Sequence, residues 1–535
     1  MYTAGTGSTP IHAETHGPSK QPMDQGNTRG NTRGNKHAMP NRDEKPVNHR
    51  AITAVVCVAL ATVVAAMSSL NVALPDIARS THAGQTQLEW VIDAYSLVFA
   101  SLLLPAGAIG DRYGRRRALL VGLGIFGVAS AVAMTANSAN ELIGLRAVLG
   151  LGAALVMPAT LSTITGTFAP AQRTRAVSVW AAVAGGSAVL GLLCSGILLE
   201  FWSWRSVFGL NVVLAAAAIA GTLRFVPESA ADDAPRLDIG GALLAVVGLG
   251  VIVFSIIEAP QYGWTAGRTL LGIGAGLAVL AGFVVFEMRQ RAPMLDPRVF
   301  RHRRLAAGSL SIFVQFFAFF GFIFVVLQYL QLVRGDSAII SAVSMLPMAA
   351  GIMAASRLAP TLVARLGSRM ACATGLVLVS GGLVVLAQLD ATSSYWLMLA
   401  GLIPLGVGMG AAMTPATSAI TAALPPAQQG VASAMNDLSR ELGGALGIAA
   451  IGSALAATYR NHLSLPGLPA ALVDHARDSF AVAAHLGGAV AAQGHLAFVD
   501  GLHVALFVAA GVVLVAAVVV GALLPQRDHG AAIGG

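Results

Sequence analysis

LGLGAALVMPATLSTIT, Leu149 to Thr165, is echoed late in the chain by LGVGMGAAMTPATSAIT, Leu405 to Thr421, and both strings run on into a PAQ tripeptide, at Pro170 and Pro426. Pro158 and Pro415 inside them stand 257 positions apart. A second pair keeps nearly the same offset: RYGRR at Arg112 to Arg116 and RLGSR at Arg365 to Arg369 are 253 positions apart. One spacing shared by two unrelated strings is a poor fit to chance likeness between Gly/Ala-rich segments. It points to two copies of one structural unit running in the same direction.

The residues around these strings identify the solvent. Of 535 residues 56% are hydrophobic and only 11% charged, a composition foreign to water-soluble domains. Crossing a bilayer takes about 20 predominantly apolar residues. Such windows fall at 51–74, 88–109, 117–136, 140–164, 175–199, 206–225 and 238–258, then at 268–287, 305–332, 338–362, 370–389, 394–420, 430–457 and 502–524. The repeat register divides these about fourteen transmembrane helices into a six-helix bundle over 51–230, two inserted central helices over 231–290, and a second six-helix bundle over 291–525 with one long outer loop at about 458–501. The expected fold is therefore an all-α polytopic membrane protein. With the amino terminus in the cytoplasm, the inner loops hold Arg112, Arg115, Arg116 and Arg117, then Arg173 and Arg175, then six arginines between Arg289 and Arg304, then Arg365 and Arg369. The outer loops hold far fewer. This asymmetry places both termini in the cytoplasm of a multi-pass inner-membrane protein.

Residues 1–50 are polar, carry the duplication NTRGNTRG at Asn27 to Gly34, and read as a disordered cytoplasmic tail, while 526–535 read as a second cytoplasmic tail. The first apolar run begins at Ala51 and is long enough to span, so no cleavable signal peptide is expected. The formal charge of +8 sits in short inter-helix segments, which argues for membrane orientation and against nucleic acid. Cys57, Cys194 and Cys372 lie in apolar runs without ligand spacing, so neither disulfides nor a metal site is expected. A GxxxxGK[ST] phosphate loop is absent from the sequence, which argues against an ATP-driven pump.

GAIGDRYGRRRALL, Gly107 to Leu120, resembles the loop between the second and third helices of major facilitator transporters. Gly107 and Gly114 permit close approach and a tight turn, while Asp111 can pair with Arg115 or Arg116 or cap a neighbouring helix. The resemblance implies a gate loop formed by Gly107, Asp111, Arg112, Gly114, Arg115 and Arg116 that latches the two halves. NVALPDI at Asn71, WVIDAYSLVFASLLLPAG at Trp90, WRSVFGLNV at Trp204, PMLDPRVF at Pro293 and SRELGGALGIA at Ser439 are similar to strings of the fourteen-span drug:proton antiporter branch, which includes multidrug and quaternary-ammonium exporters. Arg146 matches the basic residue that the family places in its fourth helix. Two positions depart from the pattern. The fifth-helix Gly-Pro-x-x-Gly-Gly is here Gly191, Leu192, Leu193, Cys194, Ser195, Gly196, so a small-residue gate of Gly191, Ser195 and Gly196 is kept without the proline. The first-helix Asp that the family often carries nine residues before the NVALP proline is Ala66.

Proton exchange needs a carboxylate that changes protonation as the two sides alternate, and a charged group inside a span is costly enough to demand a function or a partner. Asp93, one turn into the second span, is the first candidate; it is also compatible with a hydrated outer-end position. Asp437 and Glu441 share a face of span thirteen at i and i+4 with Arg440 between them, fitting either a transport site or an inner gate. Glu141, Glu200, Glu258 and Glu287 stand at span ends, where carboxylates meet water. For an organic cation, Tyr95, Phe99, Phe316 and Phe320 offer ring faces, and Gln328 and Gln331 offer hydrogen bonds.

The expectation is a secondary active transporter, not an enzyme. It exports lipophilic or cationic drugs or antibiotics by proton-coupled antiport and alternating access, with no cofactor beyond the proton gradient. Its partners are a small-molecule substrate, protons and the lipid bilayer, and it acts as a monomer. A uniporter or importer of a small metabolite on the same fold is the alternative, favoured by Ala66 and the altered fifth-helix string.

Overall fold

The structure is a computed structural model and describes residues 48–168, 170–230, 238–290, 293, 295–424, 429–465, 469–485 and 487–525. The expected tails lie outside the described residues, apart from Asn48 to Arg50, which open the first helix. Pro426 also lies outside them, as do the side chains of Pro170, Arg173 and Arg175.

The described residues are helical, with no strand among them. In chain order the helices are α1 (His49–Thr81), α2 (Gln85–Tyr113), α3 (Arg115–Ala133), α4 (Ala139–Thr167), α5 (Pro170–Phe201), α6 (Arg205–Phe225), α7 (Ile239–Tyr262), α8 (Gly267–Arg289), α9 (Arg303–Gln328), α10 (Ala338–Val343), α11 (Leu346–Leu386), α12 (Tyr395–Ala422), α13 (Gln429–His462), α14 (Ala470–Asp478), α15 (Phe480–His485) and α16 (Gly488–Leu523). Side-chain caps start several of them: Ala51 N donates to Asn48 Oδ1 at 3.1 Å, Glu141 N to Ser138 Oγ at 3.3 Å, and Gly241 N to Asp238 Oδ1 at 2.8 Å. Twelve helical stretches among the described residues are long and apolar enough to cross a bilayer, and Gly186–Phe201 within α5 is a shorter apolar one.

The repeat seen in the sequence is a repeat of packing. Gly122 on α3 and Gly152 on α4 face each other so closely that a Cβ on either would lie 2.8–2.9 Å from the other's carbonyl oxygen. At matching positions in the second half, Gly375 on α11 and Gly408 on α12 make the same contact; a Cβ on Gly375 would lie 2.7 Å from Gly408 O. Without side chains the helix backbones approach to dispersion contact, which is how helices associate where lipid supplies no hydrophobic drive. The basic loops match as well. Gly114 ends α2 at φ 110° and ψ 127°, and Gly367 breaks α11 at φ 79° and ψ 158°, so each repeat turns between its helices on one left-handed glycine. Gly114→Val and Gly367→Val are each expected to cost about 1–3 kcal/mol, read as a lower thermal unfolding midpoint in detergent. Gly124→Ala, at a site with open space around it, should leave that midpoint unchanged.

The two central helices differ from each other. In α7, Val253 and Ile257 cluster with Leu97 of α2 and Ala449 of α13, tying it to both halves. In α8, only Thr269, Gly276 and Glu287 are buried, and its close contact is with α7 through Gly276 and Gly248. Glu287 does not meet water as its terminal position suggested: the segment after α8 folds back and Leu295 N donates to its carboxylate at 3.3 Å.

The segment 458–501, expected to be a loop, is mostly helical. α13 continues to His462, α14 and α15 follow, and α16 begins at Gly488 rather than near 502. Its isolated polar residues hid this from a hydropathy reading. Phe480 stacks on Phe498 at 4.5 Å, and Tyr459 Oη donates to Ala476 O at 2.7 Å, docking the segment onto α13 and α16. This end of the molecule, opposite Arg112 to Arg117, is called the far end below; the arginine-rich side is the basic end.

Candidate functional site

The charged residues inside the helices gather near α2, α4 and α13. Asp93 on α2 is 0% exposed, and neither carboxylate oxygen has a hydrogen-bond partner among the described residues. Arg146 on α4, 1% exposed, interacts electrostatically with it. Arg146 Nε donates to Val91 O at 2.8 Å, and its guanidinium carbon stands 4.3 Å from the centre of the Tyr95 ring. Tyr95 Oη in turn donates to Val63 O of α1 at 3.1 Å. A buried cation is thus held by a ring face and a carbonyl, with the Asp93 carboxylate near enough to attract it.

This cluster belongs to one repeat only. At the 253-residue offset Asp93 and Tyr95 correspond to Leu346 and Met348, and at 256 Arg146 corresponds to Leu402. The backbone match is close: a Cβ on Gly150 would press on Tyr95 O, and one on Gly406 would press on Met348 O. The second half keeps the packing and drops the charges.

Opposite stands α13. Glu441 is buried with Oε2 unpartnered among the described residues, and it is close enough to Tyr95 for their charges to interact. Asp437 lies 4.0 Å from Arg440 Nη1, and the Arg440 guanidinium lies 4.6 Å from the centre of the Phe316 ring on α9. Asp437, Arg440 and Glu441 therefore form one patch on α13, and Glu441 is the member that reaches the Tyr95–Arg146–Asp93 cluster.

The other expected site residues are dispersed. Tyr95 and Phe99 are buried with ring centres 5.9 Å apart. Phe320 packs on Gly444 of α13, and Gln328 Nε2 bonds back to Phe324 O in its own helix at 3.0 Å. Gln331 reaches farther, donating to Val72 O of α1 at 2.9 Å. An apolar cavity of about 420 Å³ lies instead between α2, α7, α8, α9 and α13, lined by Ser101, Leu249, Phe283, Phe313, Leu438 and Leu442 among others.

In the basic loop, Asp111 pairs with Arg115, whose Nη2 stands 2.9 Å from Oδ1. Arg116 Nη2 donates to Leu223 O at 2.9 Å and its backbone N to Glu228 Oε1 at 3.2 Å, while Arg115 N donates to Ser229 O at 2.8 Å. Arg112 lies against the Tyr113 ring, and Gly107 passes Pro158 of α4. Every one of these partners is in the first half. In α5, Gly191 packs on Ala65 and Ser68 of α1, Ser195 is buried, and Gly196 packs on Ala338 and Ile339, so that one helix touches both halves.

Two residues were missed in the sequence. Glu228 follows α6 in a polar stretch that looks like any loop. Glu89, one turn before Asp93 on α2, is 0% exposed and touches Ser453 of α13; its i, i+4 relation to Asp93 was the available signal.

The family model of the Major Facilitator Superfamily matches residues 56–448. The chain belongs to that superfamily. This major facilitator chain is 35% identical over 461 residues to the multidrug resistance protein Stp of Mycobacterium tuberculosis, covering 82% of this chain and 85% of the relative. It is 35% identical over 422 residues to the methyl viologen resistance protein SmvA of Salmonella typhimurium, covering 78% and 85%. It is 34% identical over 484 residues to the multidrug efflux pump LfrA of Mycolicibacterium smegmatis, covering 88% and 96%. Among solved structures, a bacterial homologue of the human lysosomal transporter Spinster, inward-facing and unoccupied, superposes with a TM-score of 0.65 at 17% identity over 90% of this chain and 97% of that one. That likeness concerns the fold.

Proposed function

We propose that this chain exports lipophilic or cationic compounds, antibiotics among them, in exchange for protons. The observation that carries the reading is the buried Asp93–Arg146–Tyr95 cluster, reached by Glu441 of the patch that also holds Asp437 and Arg440. Carboxylates placed in the low-dielectric centre, on helices from both halves, are what proton exchange coupled to rocking requires. Relatives named for resistance to several drugs and to methyl viologen support the substrate class, and the apolar cavity beside α7 and α8 suits a lipophilic one.

The basic end faces the cytoplasm, as the positive-inside rule requires, with both termini on that side of the cell membrane. Taking Gly367 as the break between two spans and α5 as a span gives fourteen crossings: six-helix bundles over 51–230 and 291–525 with α7 and α8 between them. Each monomer carries the whole site. Among the described residues the Asp111 loop is engaged with its own half, whereas Gln331–Val72, Ser453–Glu89 and Gly196–Ile339 join the halves at the far end, which supports an inward-facing arrangement. Ala66, buried on α1 where the family resemblance leads one to expect an Asp, favours the rival reading of an importer or uniporter.

Efflux of a cationic dye from energised cells separates the two. Antiport predicts export that stops when an uncoupler is added. Export that continues at the same rate, or net uptake, would sink the reading and favour the rival.

A further inference from the structure

Glu89 lies one turn inside the far end of α2, and the seat prepared for it is unusual. Four residues after Ile256 on α7 stands Pro260, which has no N–H to offer the Ile256 carbonyl as a helix normally would. Ser453 on α13 supplies the missing donor: its hydroxyl donates to Ile256 O at 2.8 Å. The same oxygen lies 3.3 Å from Glu89 Oε2. A hydroxyl has a single hydrogen. With that hydrogen held by Ile256, Ser453 can only accept from Glu89, and the contact is a hydrogen bond only when the carboxyl brings its own proton. Glu89 Oε1 is buried without a partner among the described residues, and a Cβ on Gly452 would come within 2.8 Å of the carboxyl carbon, so the group is pressed directly on the α13 backbone.

Among the described residues no cation competes for Glu89; the next charge along α13, Arg460, is paired with Asp478. Along α2 the next ionisable group is Asp93, and from α7 comes Glu258, both acidic. From α4 comes Arg146, which is engaged with Asp93, Val91 and Tyr95. From α13, residues Ala449 to Thr458 carry no charge, nor do residues Ala118 to Ala133 of α3. On α1, Asp76 is paired with Arg79. An ionised Glu89 would therefore meet a lone pair and two carboxylates.

We infer that Glu89 is a second proton carrier of the exchange, whose acid form ties α2, α13 and α7 together at the far end and whose ionised form lets them part. The inference rests on the antiport reading above, and it gives the inserted helix α7 a part in the cycle: Pro260 fixes the Ser453 hydrogen and so makes the junction depend on the Glu89 proton. The O–H bond of Glu89 breaks and its proton passes toward the basic end by way of Asp93, one turn along α2. The far end then opens, and a proton from outside restores the acid and closes it.

The test is a pair of spin labels at Thr135→Cys and Ser394→Cys, exposed far-end positions in the two halves, on full-length protein in lipid nanodiscs with Cys194→Ser. Raising pH from about 5 to about 9 should lengthen the wild-type distance. Glu89→Gln, whose amide donates without a proton to lose, should hold the short distance throughout. Pro260→Ala returns an N–H to Ile256 O and frees the Ser453 hydrogen for an ionised Glu89, so its opening midpoint should move to higher pH by about 1 unit. A Glu89→Gln curve that superimposes on the wild type, or a Pro260→Ala midpoint that stays in place, overturns the inference. The distance does not depend on transport, so a Glu89-controlled opening together with uncoupler-insensitive efflux would sink antiport and leave the junction standing.

Discussion

Asp93→Asn is expected to abolish uncoupler-sensitive efflux and to leave the protein folded. Asn matches Asp in volume, and neither Asp93 oxygen accepts a hydrogen bond among the described residues, so the substitution breaks no hydrogen bond seen in the fold and takes away only the attraction to Arg146. It removes the one property the proposed cycle needs, a proton that comes and goes. Efflux should fall to that of cells without the transporter, while the thermal midpoint in detergent falls by less than it does in Arg146→Ala, because the guanidinium left without Asp93 keeps the Tyr95 ring and Val91 O. Asp437→Asn is the comparison. Asp437 is partly exposed and 4.0 Å from Arg440, an arrangement that fits a gate, so its efflux should be slowed but remain uncoupler-sensitive. Wild-type efflux in Asp93→Asn, still stopped by the uncoupler, would remove Asp93 from the mechanism.

Arg146→Ala should destabilise the fold more than Asp93→Asn, Gly114→Val or Gly367→Val does. Removing one member of a buried charge pair costs about 3–5 kcal/mol, and the guanidinium also covers the Tyr95 ring and bonds to Val91 O. Lysine keeps the charge but not the planar stack with its Nε–H donor, so Arg146→Lys should fall between wild type and alanine. The informative variant is the pair. Once Asp93 is neutral, the loss of Arg146 no longer strands a charge, so Asp93→Asn with Arg146→Ala should unfold at a higher temperature than Arg146→Ala alone, with a coupling of about 0.5–3 kcal/mol. Transport should stay absent in both. Strictly additive unfolding shifts would mean that the two side chains do not share an energy.

Much of this protein was legible along the chain. The windows of about 20 apolar residues place the helices because a bilayer leaves the backbone no partner outside its own helix. The paired strings at Pro158 and Pro415 and at Gly114 and Gly367 exposed the repeat, since turns on left-handed glycine and close glycine contacts tolerate few other residues. Asp93, Arg146, Asp437 and Glu441 stood out because charge inside a span is expensive. The helices of 458–501 did not, as their polar residues resemble a loop until Phe480 and Phe498 meet. Glu287 looked like a terminal carboxylate until the chain folded back on it.

What the sequence by itself determined is the set of helices, their repeat, and the charges that must find a place inside. Tertiary structure alone decided which of those charges come close to one another. The Glu89 junction joins α2, α7 and α13, with Ser453 364 positions from Glu89 and 197 from Ile256. The strength of a hydrogen bond depends on atoms a few ångströms apart, and separation along the chain carries no record of that distance.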